Sequence, residues 1–144
     1  MKYILLFLTI SLISCSTIDT YESSKIDFEK NVYIKTSLND IIENPLFYNG
    51  KKVELNGYFY YSIESSFLSA NVKPKRDGKV WVEFNYFSEL LNKEGENLFK
   101  DKRLISYIKK KVKIRGVYDS SNNGNLGIYN GSITDIVYFE SWVN

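Results

Sequence analysis

Alternation of apolar and polar side chains occurs twice in nearly the same form, at residues 51–59 and 110–118. Each stretch carries an apolar side chain at every second position and a glycine on the same phase, Gly57 in the first and Gly116 in the second. A period of two is the signature of a strand with one buried face. Because glycine weakens a strand interior, two glycines at matching positions indicate bulges or sharp coiling, as where a small barrel turns its corners.

Similar patterns predict the rest of a sheet. The predicted strands run over residues 51–61, 66–70, 79–84, 111–118 and 132–140. In the third strand the alternation is clean, with Val80 and Val82 facing inward and Trp81 facing outward.

Two helices are predicted around these strands. A short one begins after Ser37, whose hydroxyl can accept a hydrogen bond from a first-turn backbone N–H, and it stops at Pro45. Apolar side chains at helical spacing predict a second helix within residues 88–109, which Gly95 divides. Three strands, a helix and two strands is the order of an OB-fold barrel. We therefore predict a mainly β protein, a five-stranded OB-fold barrel with a short N-terminal helix and a helix between strands 3 and 4.

The N-terminus has the features of an export signal. Lys2 is the only charge before Cys15, and residues 3–13 are a nearly unbroken apolar run of the length of a signal-peptide core. The run is too short to span a bilayer, which takes about 20 apolar residues.

Residues 12–15, Leu-Ile-Ser-Cys, resemble the lipobox of bacterial lipoproteins, which implies that Cys15 is acylated and becomes the mature N-terminus. The alternative is an ordinary secretory signal in which Cys15 is incidental. Cys15 is the only cysteine, so no intramolecular disulfide is possible.

The chain then divides into three parts: a lipoprotein signal peptide at residues 1–14, a lipidated tether at 15–36 and the OB-fold domain at 37–144. The tether is polar, and a flexible chain of its length reaches roughly 25 Å. Residues 31–35 alternate weakly and can add a short strand.

Four runs, at residues 37–57, 79–84, 110–116 and 127–136, resemble the OB-fold domains of small exported bacterial lipoproteins, which are similar to the anticodon-binding type of OB-fold. The resemblance covers about residues 37–140. It implies a fold but no catalytic residue, because the matching positions are structural and the fold hosts many ligands.

Composition argues against most enzyme chemistry. The chain has no histidine, which is the commonest general base and transition-metal ligand, and its one cysteine is assigned to lipid. The acidic residues are scattered and show no calcium-loop pattern. We expect no enzyme activity, no metal and no cofactor. With a formal charge of +2, the chain is a poor general binder of polyanions.

Aromatic side chains are the first candidate for binding. The strand phases place Tyr58, Tyr60 and Trp81 on the outer face where OB-folds commonly hold ligands, with Tyr129 nearby in the loop between strands 4 and 5. Such side chains stack on bases or sugars, or anchor a protein. The alternative is that they are ordinary surface tyrosines, or that the N-terminal segment covers them.

Basic side chains are the second candidate. Eight lie in sixteen residues against Asp101 alone: Lys100, Lys102, Arg103, Lys109, Lys110, Lys111, Lys113 and Arg115. Helix and strand spacing spreads them over several faces, which favours a solvated surface over a patch for anionic lipid headgroups, glycans or nucleic acid.

The sequence thus predicts a non-enzymatic OB-fold binding module, tethered to a membrane of the bacterial envelope through Cys15 and engaging a protein or a glycan. One alternative is a basic patch that binds an anionic polymer, although location outside the cytoplasm disfavours nucleic acid. Another is a purely structural lipoprotein. Ser16, directly after Cys15, resembles the sorting signal for an outer membrane where the cell has one. The sequence does not predict the oligomeric state.

Overall fold

The computed structural model describes residues 17–24 and 32–143. Within these residues the elements are β1 (Thr17–Ser23), β2 (Ile34–Thr36), α1 (Leu38–Glu43), α2 (Pro45–Tyr48), β3 (Lys52–Tyr61), β4 (Ser66–Ser69), β5 (Lys79–Val82), β6 (Leu90–Leu91), α3 (Arg103–Ser106), β7 (Lys111–Asp119), a 3-10 turn (Asn125–Gly127) and β8 (Ser132–Val143).

Five of the strands close a barrel. Strand β3 pairs antiparallel with β4 and β7, β4 pairs with β5, and β7 pairs with β8. A short parallel pairing of β5 with β8, Trp81 to Ser132 and Val82 to Ile133, completes the ring. The predicted mainly β, five-stranded barrel of OB type is confirmed.

Gly116 lies at a β-bulge, as predicted, whereas the glycine at position 57 is explained by close packing and not by a bulge. The register between β7 and β8 shifts between Arg115 and Val117, and a Cβ on Gly116 would stand 2.5 Å from the carbonyl oxygen of Thr134. Gly57 sits in regular pairing, where a Cβ would stand 2.7 Å from Cδ1 of Leu38. Neither glycine has a positive φ, so close packing, not a left-handed backbone, requires them.

The core follows the predicted strand phases. Val80 and Val82 are buried, whereas Trp81 is half-buried on the outer face. Helix α1 is capped as expected, because the Asp40 N–H donates to Ser37 Oγ at 3.0 Å. The largest fully buried side chains include Tyr118, Phe59, Phe139, Ile41, Leu55, Leu68, Ile114 and Ile133.

The chain between β5 and β7 is much less helical than its apolar spacing predicts. Only Arg103–Ser106 is α-helical, and Leu90–Leu91 forms a strand that pairs with β1. Asn92 Oδ1 accepts the N–H groups of Glu94 and Glu96, and Gly95 takes a φ of 77°. These side-chain hydrogen bonds offer the backbone an alternative to a helix, and they form a turn around Gly95, the residue at which the predicted helix was expected to divide.

Two strands lie within the range that the sequence predicts as a tether. Strand β1 pairs antiparallel with β8 from Thr17 opposite Val143 to Glu22 opposite Tyr138, and β2 pairs parallel with β3. Tyr21 is buried in the core. The sheet therefore begins two residues after Cys15, which lies outside the described residues together with the predicted signal peptide. No helix in the described part of the chain is long and apolar enough to cross a membrane.

Candidate functional site

Four aromatic side chains form a contiguous row on the outer face of β3, β4 and β5. The register sets Tyr60 opposite Phe67 and Phe67 opposite Trp81. The Tyr60 and Phe67 rings stack at 5.0 Å between centroids, and Tyr129 lies 5.7 Å from Phe67 and 5.0 Å from Trp81. This aromatic row contains three of the four predicted site residues. Phe67 was missed, although the period-two phase of β4 places it on the same face.

Tyr58, the fourth predicted residue, is not part of the aromatic row. It lies two residues before Tyr60 on the same face of β3. It lines a separate recess together with Lys109, Lys110, Lys111 and Trp142. The structure thus divides the predicted aromatic surface into two parts.

The aromatic row is held in place on its outer side. Gly124, with a φ of 64°, lies so close to Trp81 that a Cβ would stand 2.7 Å from Cδ2 of the indole and 2.8 Å from Cδ2 of Tyr129. The Tyr60 hydroxyl donates to the carbonyl of Val72 in the β4–β5 loop. Phe67 and Tyr129 are almost fully buried. The row is therefore a fixed wall and not an open stacking platform.

A cleft of about 380 Å³ opens at the Trp81 end of this wall. We call it the aromatic cleft; it lies between the β3–β4 turn, the end of β5 and the β7–β8 loop. Its lining residues are Tyr61, Ser62, Ile63, Glu64, Ser65, Ser66, Trp81, Val82, Glu83, Phe84, Tyr86 and Asn125.

Hydrogen bonds between the two loops fix the width of the cleft. Asn125 Nδ2 donates to the Glu64 carbonyl at 3.2 Å, which joins the β7–β8 loop to the β3–β4 turn. Asn122 in the same loop donates to the Glu83 carboxylate. Within the turn, the Ser62 N–H donates to the Ser65 carbonyl at 2.7 Å. The cleft is therefore largely formed before any ligand arrives, which is typical of binding sites.

The chemistry of the lining is polar and acidic around aromatic faces. Glu64 and Glu83 are its charged residues, and neither lysine nor arginine lines it. Ser66 Oγ is buried and has no hydrogen-bond partner among the described residues, which leaves one polar group unsatisfied at the site. Burial and a hydrogen bond shared with Tyr61 raise the pKa of Tyr86, so its hydroxyl stays protonated at neutral pH.

The loops that form the cleft carry three exposed apolar side chains, which we call its rim. Ile63 lines the cleft and is 98% exposed, whereas Leu126 (83% exposed) and Phe87 (100% exposed) directly follow the lining residues Asn125 and Tyr86 in the chain. Scattered single apolar side chains are ordinary on a protein surface, but three on the loops of one cleft favour an interaction site. Sequence reasoning missed this rim because its members come from three separate loops.

Among the described residues, three of the eight members of the predicted basic cluster form ion pairs. Arg103 forms a fork with Glu96 at 2.8 and 2.9 Å, Lys113 pairs with Glu140 at 2.8 Å, and Arg115 pairs with Glu54 at 2.7 Å. These acids come from other parts of the chain. Of the eight basic residues, Lys109, Lys110 and Lys111 line the recess with Tyr58 and Trp142, which has a volume of about 450 Å³ and which we call the basic recess.

Metal chemistry gains no support from the site. Among the described residues no three or more acidic, histidine or cysteine side chains are placed to hold a metal ion. The aromatic cleft instead offers hydroxyl, amide and carboxylate groups beside aromatic faces. No protein-family model, curated protein or solved structure matches this chain, so the resemblance to lipoprotein OB-fold domains stays an expectation.

Proposed function

We propose that this protein is a non-enzymatic binding module, exported and anchored to a membrane of the bacterial envelope through lipidated Cys15. Its aromatic cleft receives an extended segment of a protein partner. The observation that carries this proposal is the set of exposed apolar side chains, Ile63, Phe87 and Leu126, on the loops that form a cleft with fixed walls. Aromatic anchors near the centre of such a surface, here Trp81, supply most of the free energy of protein binding, and the apolar side chains around them exclude water.

The chemistry of the partner segment follows from the lining. Apolar side chains of the segment would cover the rim, and a lysine or arginine would pair with Glu64 or Glu83. The lining includes no basic side chain, so it favours a neutral or basic ligand over an anionic one.

A neutral glycan is the second candidate, favoured by Trp81 beside the Asn125 amide and the Glu83 carboxylate. An aromatic face next to hydrogen-bonding groups suits a sugar ring, whose own surface is apolar on one side and polar at the edge. A glycan has no use for the apolar side chains of the rim, so the rim distinguishes the two candidates.

In-cell photocrosslinking tests the proposal. A photoreactive amino acid replaces Ile63 or Phe87 in the full chain, and Leu46, which is 84% exposed on α2 away from the cleft, is the matched control position. We expect one discrete protein adduct from both rim positions and not from position 46, and we expect Glu83→Arg to abolish it. Absence of the adduct, or an equal adduct from all three positions, would overturn the proposal. Adducts insensitive to Glu83→Arg would exclude the cleft as the site.

A further inference from the structure

The basic recess lies beside the point where the first strand begins. The register sets Thr17 opposite Val143 and Ile18 opposite Trp142. Continuing the pairing of Val112 with Ser141 by one residue sets Lys111 beside Trp142. Tyr58, Lys111, Trp142 and Ile18 therefore follow one another across one outer face of the sheet.

Backbone geometry brings three consecutive lysines to this recess. Lys109 has a φ of 64°, in the left-handed region that non-glycine residues rarely adopt. Its N–H donates to the Phe59 carbonyl at 2.7 Å, and the Phe59 N–H donates to the Lys110 carbonyl at 3.0 Å. This turn lets neighbouring lysines line the same recess, although residues next to each other in a strand face opposite sides.

The charge of these lysines is available to a partner. Within the described residues none of the three forms an ion pair, whereas Lys113 and Arg115 directly after them are both paired. Lys109 and Lys111 are exposed, and Lys110 Nζ lies 5.7 Å from the centre of the Tyr107 ring. Next to them lie a half-buried tryptophan, Trp142, and Ile18, which is 54% exposed.

We propose that the basic recess and Ile18 rest on the surface of an anionic lipid bilayer. Lysines next to an anionic leaflet gain from the phosphates of the headgroups, and tryptophan and tyrosine prefer the interface between headgroup and acyl chain. Their long stems let the lysines reach the headgroups while the apolar face beside them approaches the lipid.

The position of the anchor agrees with this orientation, and here the inference rests on the proposed lipidation of Cys15. Two residues of extended chain span at most about 7 Å, so an acylated Cys15 would hold Thr17 at the membrane surface. The basic recess lies at that same end of β1. The membrane is favoured over a soluble polyanion because the lysines form one short patch flanked by apolar side chains and not an extended basic track.

Quenching of Trp142 by brominated lipid tests the contact. The chain has two tryptophans, so Trp81→Phe leaves Trp142 as the only one. The full chain with this change and with Cys15→Ser, so that no acyl chain anchors it, is mixed with vesicles of phosphatidylcholine, with or without phosphatidylglycerol, that contain brominated phosphatidylcholine. We expect strong quenching only with phosphatidylglycerol. We expect the triple change Lys109→Glu, Lys110→Glu, Lys111→Glu to lower the partition into these vesicles by about tenfold or more.

The matched control carries the same change of charge elsewhere: Lys35→Glu, Lys51→Glu, Lys93→Glu. The quenching of Trp142 in this control should stay within about twofold of that in the chain with unchanged lysines, if the recess and not the net charge is responsible for membrane binding. Replacement of the three recess lysines by glutamine is the second variant, in case the triple glutamate chain does not fold.

Three outcomes would overturn the inference. The first is equal quenching in neutral and anionic vesicles, and the second is equal loss in the control and recess variants. The third is lysine-dependent binding to soluble polyphosphate with none to vesicles, which would assign the recess to an anionic polymer. Restoring Cys15 separates the two proposals: if acylation anchors the protein, the chain with Cys15 made in cells also partitions into neutral vesicles, whereas the dependence on phosphatidylglycerol of the Cys15→Ser chain reports on the recess alone.

Discussion

Gly124 lies directly against the indole of Trp81, with room for no side chain between them. Gly124→Ala should therefore displace the indole, in addition to the cost of a non-glycine residue at a φ of 64°. We expect a loss of stability of about 2 kcal/mol or more and a shift in Trp81 fluorescence, measured in a Trp142→Phe background. Gly127→Ala is the matched control: it has a φ of 62° in the same loop but no atom within 4 Å of the added Cβ. Its cost should be about 1 kcal/mol, without the spectral shift.

Trp81→Ala should impair binding more than folding. Trp81 is half-buried on the outer face and contributes to the wall of the aromatic cleft. We expect a loss of at least about 2 kcal/mol in affinity for the partner captured by crosslinking. Trp81→Ala should lower the free energy of unfolding by less than the roughly 3 to 5 kcal/mol that is lost when an aromatic side chain in a core is replaced by alanine. Val80→Ala, one residue away, buried in the core and not part of the cleft lining, should show the reverse. A strongly destabilising Trp81→Ala with a neutral Val80→Ala would contradict the assigned faces of β5.

Gly57 and Gly116, which occupy matching positions in the two similar strands, should differ in how well they tolerate a side chain. At Gly116 the nearest obstacle is a backbone oxygen, which cannot move aside, and we expect Gly116→Ala to cost more than about 2 kcal/mol. At Gly57 the nearest atom is the end of the Leu38 side chain, so Gly57→Ala should cost about 1 kcal/mol, and valine at either site should cost more. Gly78→Ala meets nothing closer than 3.9 Å and should be neutral in the same denaturation series.

Cys15→Ser should release the protein from membranes washed in about 1 M salt, which screens any contact through the basic recess. It should do so without unfolding the protein, because residues 17–24 and 32–143 supply the described fold. Fractionation of cells and a thermal melt of the purified variant check the two parts. If the variant stays wholly with the membranes, acylation of Cys15 is not what holds the protein there.

Stability should fall in acid partly through Glu140. Burial opposes ionisation of this carboxyl, but hydrogen bonds from Lys113 and Tyr138 overcome it and lower the pKa of Glu140 below its usual value. The folded state therefore binds this proton less readily than the unfolded chain, so the stabilisation is present at neutral pH and is lost as the pH falls through the folded pKa.

Glu140→Gln should lower the free energy of unfolding by about 1 to 3 kcal/mol at pH 7 and reduce the dependence of that free energy on pH in acid. Denaturation curves across that range measure both effects, with the exposed Glu43→Gln as control. An unchanged acid slope in Glu140→Gln would contradict the assignment.

The barrel could be predicted from the sequence because apolar and polar side chains alternate cleanly along its strands. Strand β1 could not be predicted in this way, because its apolar Ile18 is exposed while Tyr21 and the polar Ser23 are buried. Tyr21 is held inside by its hydrogen bond to Tyr107, 86 residues away, which no local pattern records. The short helix in place of the predicted longer one has a local origin, because Asn92 and Gly95 impose a turn on apolar spacing that is otherwise helical.

The candidate sites were predicted only in part. The phase of β5 placed Trp81 correctly, but the walls of the aromatic cleft come from loops whose proximity depends on the closed barrel. The basic run appeared to be eight free charges, because the partner of Arg115 lies 61 residues away on β3 and the partner of Lys113 lies 27 residues away on β8. Charge counted along a sequence includes side chains that the fold has already paired.

Pairing of the first described strand with the last has a consequence for biogenesis. Strand β8 closes the barrel against β5 and β7 and also carries β1, so each of these strands lacks one of its neighbours until residues 132–143 have been made. Such long-range pairing makes folding slow and dependent on the whole domain. A chain that leaves the ribosome N-terminus first therefore remains open until residues 132–143 have been made, which is the state that the proposed export through a channel for unfolded polypeptides would require.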